Sequence, residues 1–175
     1  MIVKWLRENV VASWLLLVLR LYLGYEWMTA GWGKITGGFD AGGFLTGAIA
    51  KAGGDHPAVQ GWWAAFLENF AMPNVGLFNF LVPWGEFLVG LGLILGTFTW
   101  FAVLMGMVMN FAFLFSGTVS TNALMLALEI FIVVAGTNAG RIGLDRYLIP
   151  YLRRLFGKKG EKGDPFVNHT PAGQM

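Results

Sequence analysis

Four polar residues stand where an apolar sequence can least tolerate them. Arg20, Glu86, Asn110 and Glu129 each lie inside a long apolar run, one to a run. A charge at the centre of a bilayer costs about 2.5–3.5 kcal/mol on insertion scales, so such a residue calls for a partner or a task. Arg20, Glu86 and Glu129 fall near the middle of their runs, and Asn110 just beyond it, which points to one buried cluster at a common depth. Arginine keeps its proton in proteins. One guanidinium facing two carboxylates offsets only one of them, so Glu86 and Glu129 are expected to hold one proton between them. That is chemistry suited to binding or protonating a small ligand, and it makes Arg20, Glu86 and Glu129 the candidate catalytic residues. The plainer alternative is structural: Arg20 pairs with the glutamates to fix helix register.

A second pattern lies in the first run. Arg20, Gly24, Trp27, Gly31 and Lys34 recur at steps of four, three, four and three, the spacing of a single helical stripe. The glycines permit close approach of a neighbouring helix or ligand. Glu26 falls on a different face, nearer the outer end, and with Tyr25, Trp27, Trp32 and Lys34 could line an external mouth. Glu26, Trp27, Lys34 and Asn110 are thus the candidate binding residues. Asn110 serves equally well as a hydrogen-bond partner between helices, and Lys34 and Trp32 as interfacial anchors. Gly92 and Gly96 read as a packing pair.

Composition excludes several alternatives. The chain has no cysteine, which removes disulfides, a CxxC pair and thiolate metal sites. Its two histidines, His56 and His169, lie outside the apolar runs, so a haem held by two helix histidines is excluded and no metal site is expected. A net charge of +2 gives no reason to expect nucleic acid as a partner. Hydrophobic residues make up 56% and charged residues 13% of the chain, and mean hydropathy is +0.61. Soluble domains average about 25% charged residues, so the lipid bilayer is the expected surrounding.

The elements that must position these residues follow from the runs themselves. A spanning helix needs roughly 20 apolar residues. Four candidates are present, at about 10–32, 75–96, 99–116 and 122–137. The expected fold is an all-α integral membrane four-helix bundle, with residues 1–156 as its transmembrane domain. The basic start at Lys4 and Arg7 resembles a signal peptide, but the apolar stretch is too long and no small-residue cleavage site follows. The first external loop, 33–74, carries Trp62, Trp63, Phe66 and Phe70 at helix-like spacing, so short interfacial helices are expected there. A flexible loop is the alternative, since the glycines at 37, 38, 42, 43, 53 and 54 oppose helix. Residues 144–156 read as an amphipathic interfacial helix interrupted by Pro150, and 157–175 as a disordered basic cytoplasmic tail. Seven basic residues crowd 141–162, whereas the external loop holds only Lys34 and Lys51. The positive-inside rule then places both termini in the cytoplasm, and an even number of spans agrees in requiring that they share a side.

The segments LRLYLGYEWMTAGWGK (19–34), VPWGEFLVGLGLILGTFTWFAVLMGMVMN (82–110) and AGRIGLDRYL (139–148) resemble the DoxX family, and more closely its DoxD-like branch. The resemblance implies a multi-pass protein of a bacterial or archaeal cytoplasmic membrane. It also implies thiosulfate oxidation to tetrathionate with membrane quinone as acceptor, and a small partner subunit. Of the polar residues, Arg20, Glu26, Lys34, Glu86 and Asn110 lie inside the matching segments. The chain carries no ligand for a redox cofactor, so quinone enters as a diffusible acceptor. Two functions follow. One is the membrane subunit of a quinone-linked oxidoreductase, with the candidate glutamates supplying protons and Trp27 lying against the quinone. The other is a non-catalytic scaffold, or a small-solute or lipid-binding protein supporting other redox or stress enzymes. A homo-oligomer suits either.

Overall fold

Asn9 ends one helix and begins the next. In a computed structural model of the chain, which describes residues 1–156, helix α1 (Ile2–Glu8) stops at Asn9, whose backbone is extended. The Asn9 carboxamide oxygen accepts the N–H groups of Val11 at 2.7 Å and Ala12 at 3.4 Å, capping the start of α2 (Val10–Gly37). Helix α2 continues past the expected end near Trp32 and stops at Gly38, where φ is +81°.

The first loop holds two short helices. Asp40 caps α3 (Ala41–Ala50) by accepting the Gly42 N–H at 2.9 Å. Gly42 and Gly43 lie inside this helix rather than breaking it. Ala41, Leu45 and Ala48, spaced by four and three, are buried together with Leu67 and Ala71, and that burial outweighs the glycines' low propensity. Helix α4 (Gly61–Phe66) runs directly into a π-helical turn (Leu67–Ala71). Its aromatic side chains stack in sequence, Trp63 on Phe66 at 5.0 Å and Phe66 on Phe70 at 5.3 Å.

Four further apolar or partly apolar helices follow α5 (Val75–Leu95): α6 (Thr99–Phe115), α7 (Asn122–Ala135), the single turn α8 (Thr137–Gly140) and α9 (Asp145–Phe156). The turn between α5 and α6 is sharp because Gly96 and Phe98 both take left-handed backbone, with φ of +63° and +46°. Pro150 lies inside α9 without interrupting it, contrary to expectation. A proline removes one backbone donor, and the flanking turns carry the helix across the gap.

Helix α2 packs chiefly against α5, α6 lies against α5 and α7, and α2 also touches α7 and α8. The α2–α5 contact is made by backbone. A Cβ on Gly31 would stand 2.4 Å from the Phe87 nitrogen, and one on Gly90 would stand 2.3 Å from the Met28 nitrogen. Leu16, Leu23, Trp27, Val89, Leu93, Val103 and Ile132 fill the space between the helices. The outward faces are apolar as well, with Val18, Phe80, Leu88, Phe101 and Val108 all more than half exposed. Apolar surface on both sides of a helix is the pattern of a membrane protein.

Two helices, α2 and α5, are long and apolar enough to cross a membrane. Helices α6 and α7 are apolar but have 17 and 14 residues. They reach about 25 and 21 Å at ~1.5 Å per residue, against a hydrocarbon core of ~30 Å. Helix α7 is cut short at Gly136, where φ is +58°.

Candidate functional site

The stripe read from α2 is the buried seam of the molecule. Arg20, Gly24, Trp27 and Gly31 are all buried, and the Lys34 side chain is 29% exposed at the far end. Its three polar residues stand seven positions apart, about 10 Å per step. Each meets different partners, so the expected cluster at one depth is resolved into three separate stations.

Arg20 occupies the first station. One guanidinium nitrogen, Nη1, donates to the Ala139 carbonyl at 2.7 Å, and Nη2 donates to the Ile142 carbonyl at 2.6 Å. Gly96 makes room for it, since a Cβ there would lie 2.6 Å from Nη1. Beside this contact the Asp145 carboxylate accepts the Phe98 N–H at 2.7 Å and the Thr99 N–H at 2.9 Å, capping α6. The backbone N–H groups of Leu144 and Asp145 return to the carbonyls of Leu95 and Gly96. Arg20 therefore pairs with neither Glu86 nor Glu129, which corrects the expected ion pairing. The reason is local. Where α8 ends, carbonyls lose their helical partners and require donors, and the guanidinium fork supplies two at once.

Glu129 occupies the second station with Trp27 and Asn110. Its Oε1 accepts the Trp27 indole N–H at 2.8 Å, and its Oε2 accepts the Asn110 Nδ2–H at 3.0 Å. Glu129 and Asn110 are fully buried. No cation among the described residues pairs with Glu129. Gly106 permits the arrangement, for a Cβ there would stand 2.8 Å from Glu129 Oε1 and 3.1 Å from Trp27 Nε1. The Asn110 Oδ1 atom is buried without a hydrogen-bond partner.

Lys34 and Glu86 form the third station. Lys34 Nζ donates to Glu86 Oε2 at 2.6 Å and lies over the Phe39 ring at 5.8 Å. Side chains of a helix lean toward its N-terminus, which lets Lys34 reach inward to a carboxylate only 2% exposed. Glu86 thus has its own counter-ion and Glu129 its own neutral donors. A single proton shared between the two glutamates is not what these contacts hold. Glu26 is half-buried on another face of α2 and makes no side-chain hydrogen bond among the described residues.

Several residues at these stations escaped the sequence reading. Gly106 lies one helical turn before Asn110, a spacing that could have marked it. Asp145 sits in a basic stretch that hides its capping role. Asn138 donates to the carbonyls of Leu6 and Asn9 at 2.7 and 3.0 Å, tying α1 to α8, and nothing in the sequence signals so distant a contact. Among the described residues, no group of three or more His, Cys, Asp and Glu side chains is placed to hold a metal ion. The expected disordered tail, 157–175, lies outside the described residues.

Among curated proteins and among solved structures, none matches the chain. Residues 15–118, more than half its length, match the DoxX family. They contain α5 and α6 whole and α2 from residue 15 onward, and with them Arg20, Trp27, Lys34, Glu86 and Asn110, so this helical membrane protein belongs to the DoxX family.

Proposed function

We propose that the chain is the membrane-embedded subunit of a quinone-linked oxidoreductase of the DoxD-like branch, handling protons at Glu129. The observation that carries this reading is the Glu129 carboxyl, fully buried and held by two neutral donors with no cation beside it. A buried carboxylate without a counter-charge is expensive, so this group is poised to take up a proton and to release it. Reduction of a quinone consumes two electrons and two protons. Electrons would come from thiosulfate through a small partner subunit, since this chain has no cysteine and no metal-ligand cluster among its described residues. Trp27 and Asn110 orient the two carboxylate oxygens. At the outer end, the Lys34 charge is already offset by Glu86, so an approaching anion must compete with that carboxylate for Nζ.

In this reading α2, α5, α6 and α7 form a four-helix transmembrane bundle, with α3 and α4 on the outer surface, α9 on the inner surface and both termini in the cytoplasm. The basic residues of 141–162 and the apolar outward faces support it. The test is thiosulfate-dependent quinone reduction by membranes containing this chain together with its copurifying subunit. Glu129→Gln keeps size; its carboxamide oxygen can still accept from Trp27, and its NH2 can donate to Asn110 Oδ1, now without a partner, once that amide turns over. The variant should remain folded and lower turnover about 100-fold or more, the scale of a lost proton-transfer group. Absence of thiosulfate-dependent activity from wild-type membranes, with and without the partner, overturns the proposal. A scaffold is the second reading, favoured by Arg20, whose charge is spent on the carbonyls of Ala139 and Ile142. Under it Glu129→Gln changes neither turnover of an associated enzyme nor folding.

A further inference from the structure

We infer that the cleft between the start of α6 and helices α8 and α9 is a binding site for one anionic phospholipid. The cleft has a volume of about 400 Å³ and is walled by Phe98, Trp100, Phe101 and Ile149. That size falls within the ~300–1,000 Å³ range of small-molecule sites. It opens beside the first turn of α6, which, with α6 crossing the membrane as proposed above, is the level at which a bilayer changes from hydrocarbon to glycerol ester. Phe98, Trp100 and Phe101 are each more than half exposed at its rim. Tryptophan at such a rim is typical of the headgroup boundary.

The charge of the ligand is set by what surrounds the cleft. Its one carboxylate, Asp145, is 2% exposed, and both oxygens already accept backbone N–H groups of Phe98 and Thr99. The positive end of α6 is thereby satisfied, so a phosphate does not bind at the cleft floor. The walls instead suit acyl chain and ester. The cations stand outside. Asp145, Ile149 and Arg153 follow at steps of four on α9, so Arg153 lies one turn beyond the cleft wall on the same stripe. Arg146 and Arg153 are both exposed. A lipid seated with its chain against Phe101 and Ile149 would present its phosphate to these arginines. The opposite face of α9 is also unpartnered, with Tyr147 and Tyr151 at 72% and 59% exposure. That suits a helix lying in the headgroup layer.

The inference goes beyond the proposed redox role and does not depend on it, because lipid retention is read without turnover. The full chain, purified in detergent and stripped of lipid, is offered dioleoyl phosphatidylglycerol or dioleoyl phosphatidylcholine, and retained lipid is counted by native mass spectrometry. One phosphatidylglycerol should be retained by the monomer, with a preference over phosphatidylcholine of about fivefold per arginine engaged. Arg146→Gln with Arg153→Gln should abolish the preference. Thr137→Phe, which fills the cleft, should abolish retention of either lipid, and Ile149→Trp serves the same purpose if that variant does not run as a single species. Equal retention of the two lipids overturns the inference. So does a preference that survives loss of the arginines or filling of the cleft, since the lipid then binds elsewhere. Retention confined to a dimer overturns it too, by placing the lipid between copies.

Discussion

Replacing Arg20 with methionine separates the architectural role seen in the structure from the catalytic one expected from its sequence position. Methionine keeps most of the apolar stem and removes the guanidinium. Two carbonyls, Ala139 and Ile142, then lose donors now at 2.7 and 2.6 Å, in a site where Arg20 is 1% exposed. Stranding a buried carbonyl costs about 1–3 kcal/mol, so the pair costs about 2–6 kcal/mol. Removing a charge buried without a salt bridge returns part of this. A net loss of about 3 kcal/mol follows, or about 6–12 °C in melting temperature for a chain of this size. Arg20→Lys should fall between, because one ammonium cannot reproduce the two-nitrogen fork. Both are measurable by thermal unfolding of purified protein in detergent, using intrinsic tryptophan fluorescence. An Arg20→Met variant that melts like the wild type while losing quinone reduction would refute the reasoning and return Arg20 to the reacting groups.

Two other contacts make equally specific demands. Lys34→Met leaves Glu86, 2% exposed, without its partner. Breaking a fully buried pair costs about 3–5 kcal/mol, and water reaching the partly exposed lysine position lowers this to about 2 kcal/mol. The double variant with Glu86→Gln should recover to within about 1 kcal/mol of the wild type; equal melting of the single and double variants would show the pair to be unimportant. Gly31→Ala and Gly90→Ala place a methyl group against backbone of the opposing helix and should each lose about 1–3 kcal/mol or more. Gly47→Ala, a helix position with nothing within 4 Å, should instead gain about 0.5–1 kcal/mol. Equal melting shifts for Gly31→Ala and Gly47→Ala would count against the close α2–α5 approach.

Much of this arrangement is legible in the sequence because it is periodic. Helices α2, α5, α6 and α7 begin at the residues where their apolar runs begin, and the stripe from Arg20 to Lys34 needs only the 3.6-residue turn to be seen. The partners along that stripe are a different matter. Depth judged from the middle of each run assumes that every run is centred on the same plane. Helix α2 continues to Gly37, and its glycines set a register against α5 that places Arg20 beside Gly96 and lets Lys34 reach Glu86. Arg20 then meets carbonyls at positions 139 and 142, groups every residue possesses and no sequence pattern advertises. Opposite charges are the natural guess for an arginine, and the guess failed because an interrupted helix end needed donors more.

The unequal helix lengths have a consequence for the surrounding lipid. With all four apolar helices crossing, as proposed, one flank is built of helices of 28 and 21 residues and the other of 17 and 14. A bilayer of even thickness cannot match both flanks. Lipid beside α6 and α7 must thin, at a fraction of a kcal/mol for each ångström of mismatch. That deformation is relieved when another protein covers the short flank, or when the chain resides in a thinner membrane. The bilayer itself thus favours association through α6 and α7, before any contact between side chains is counted.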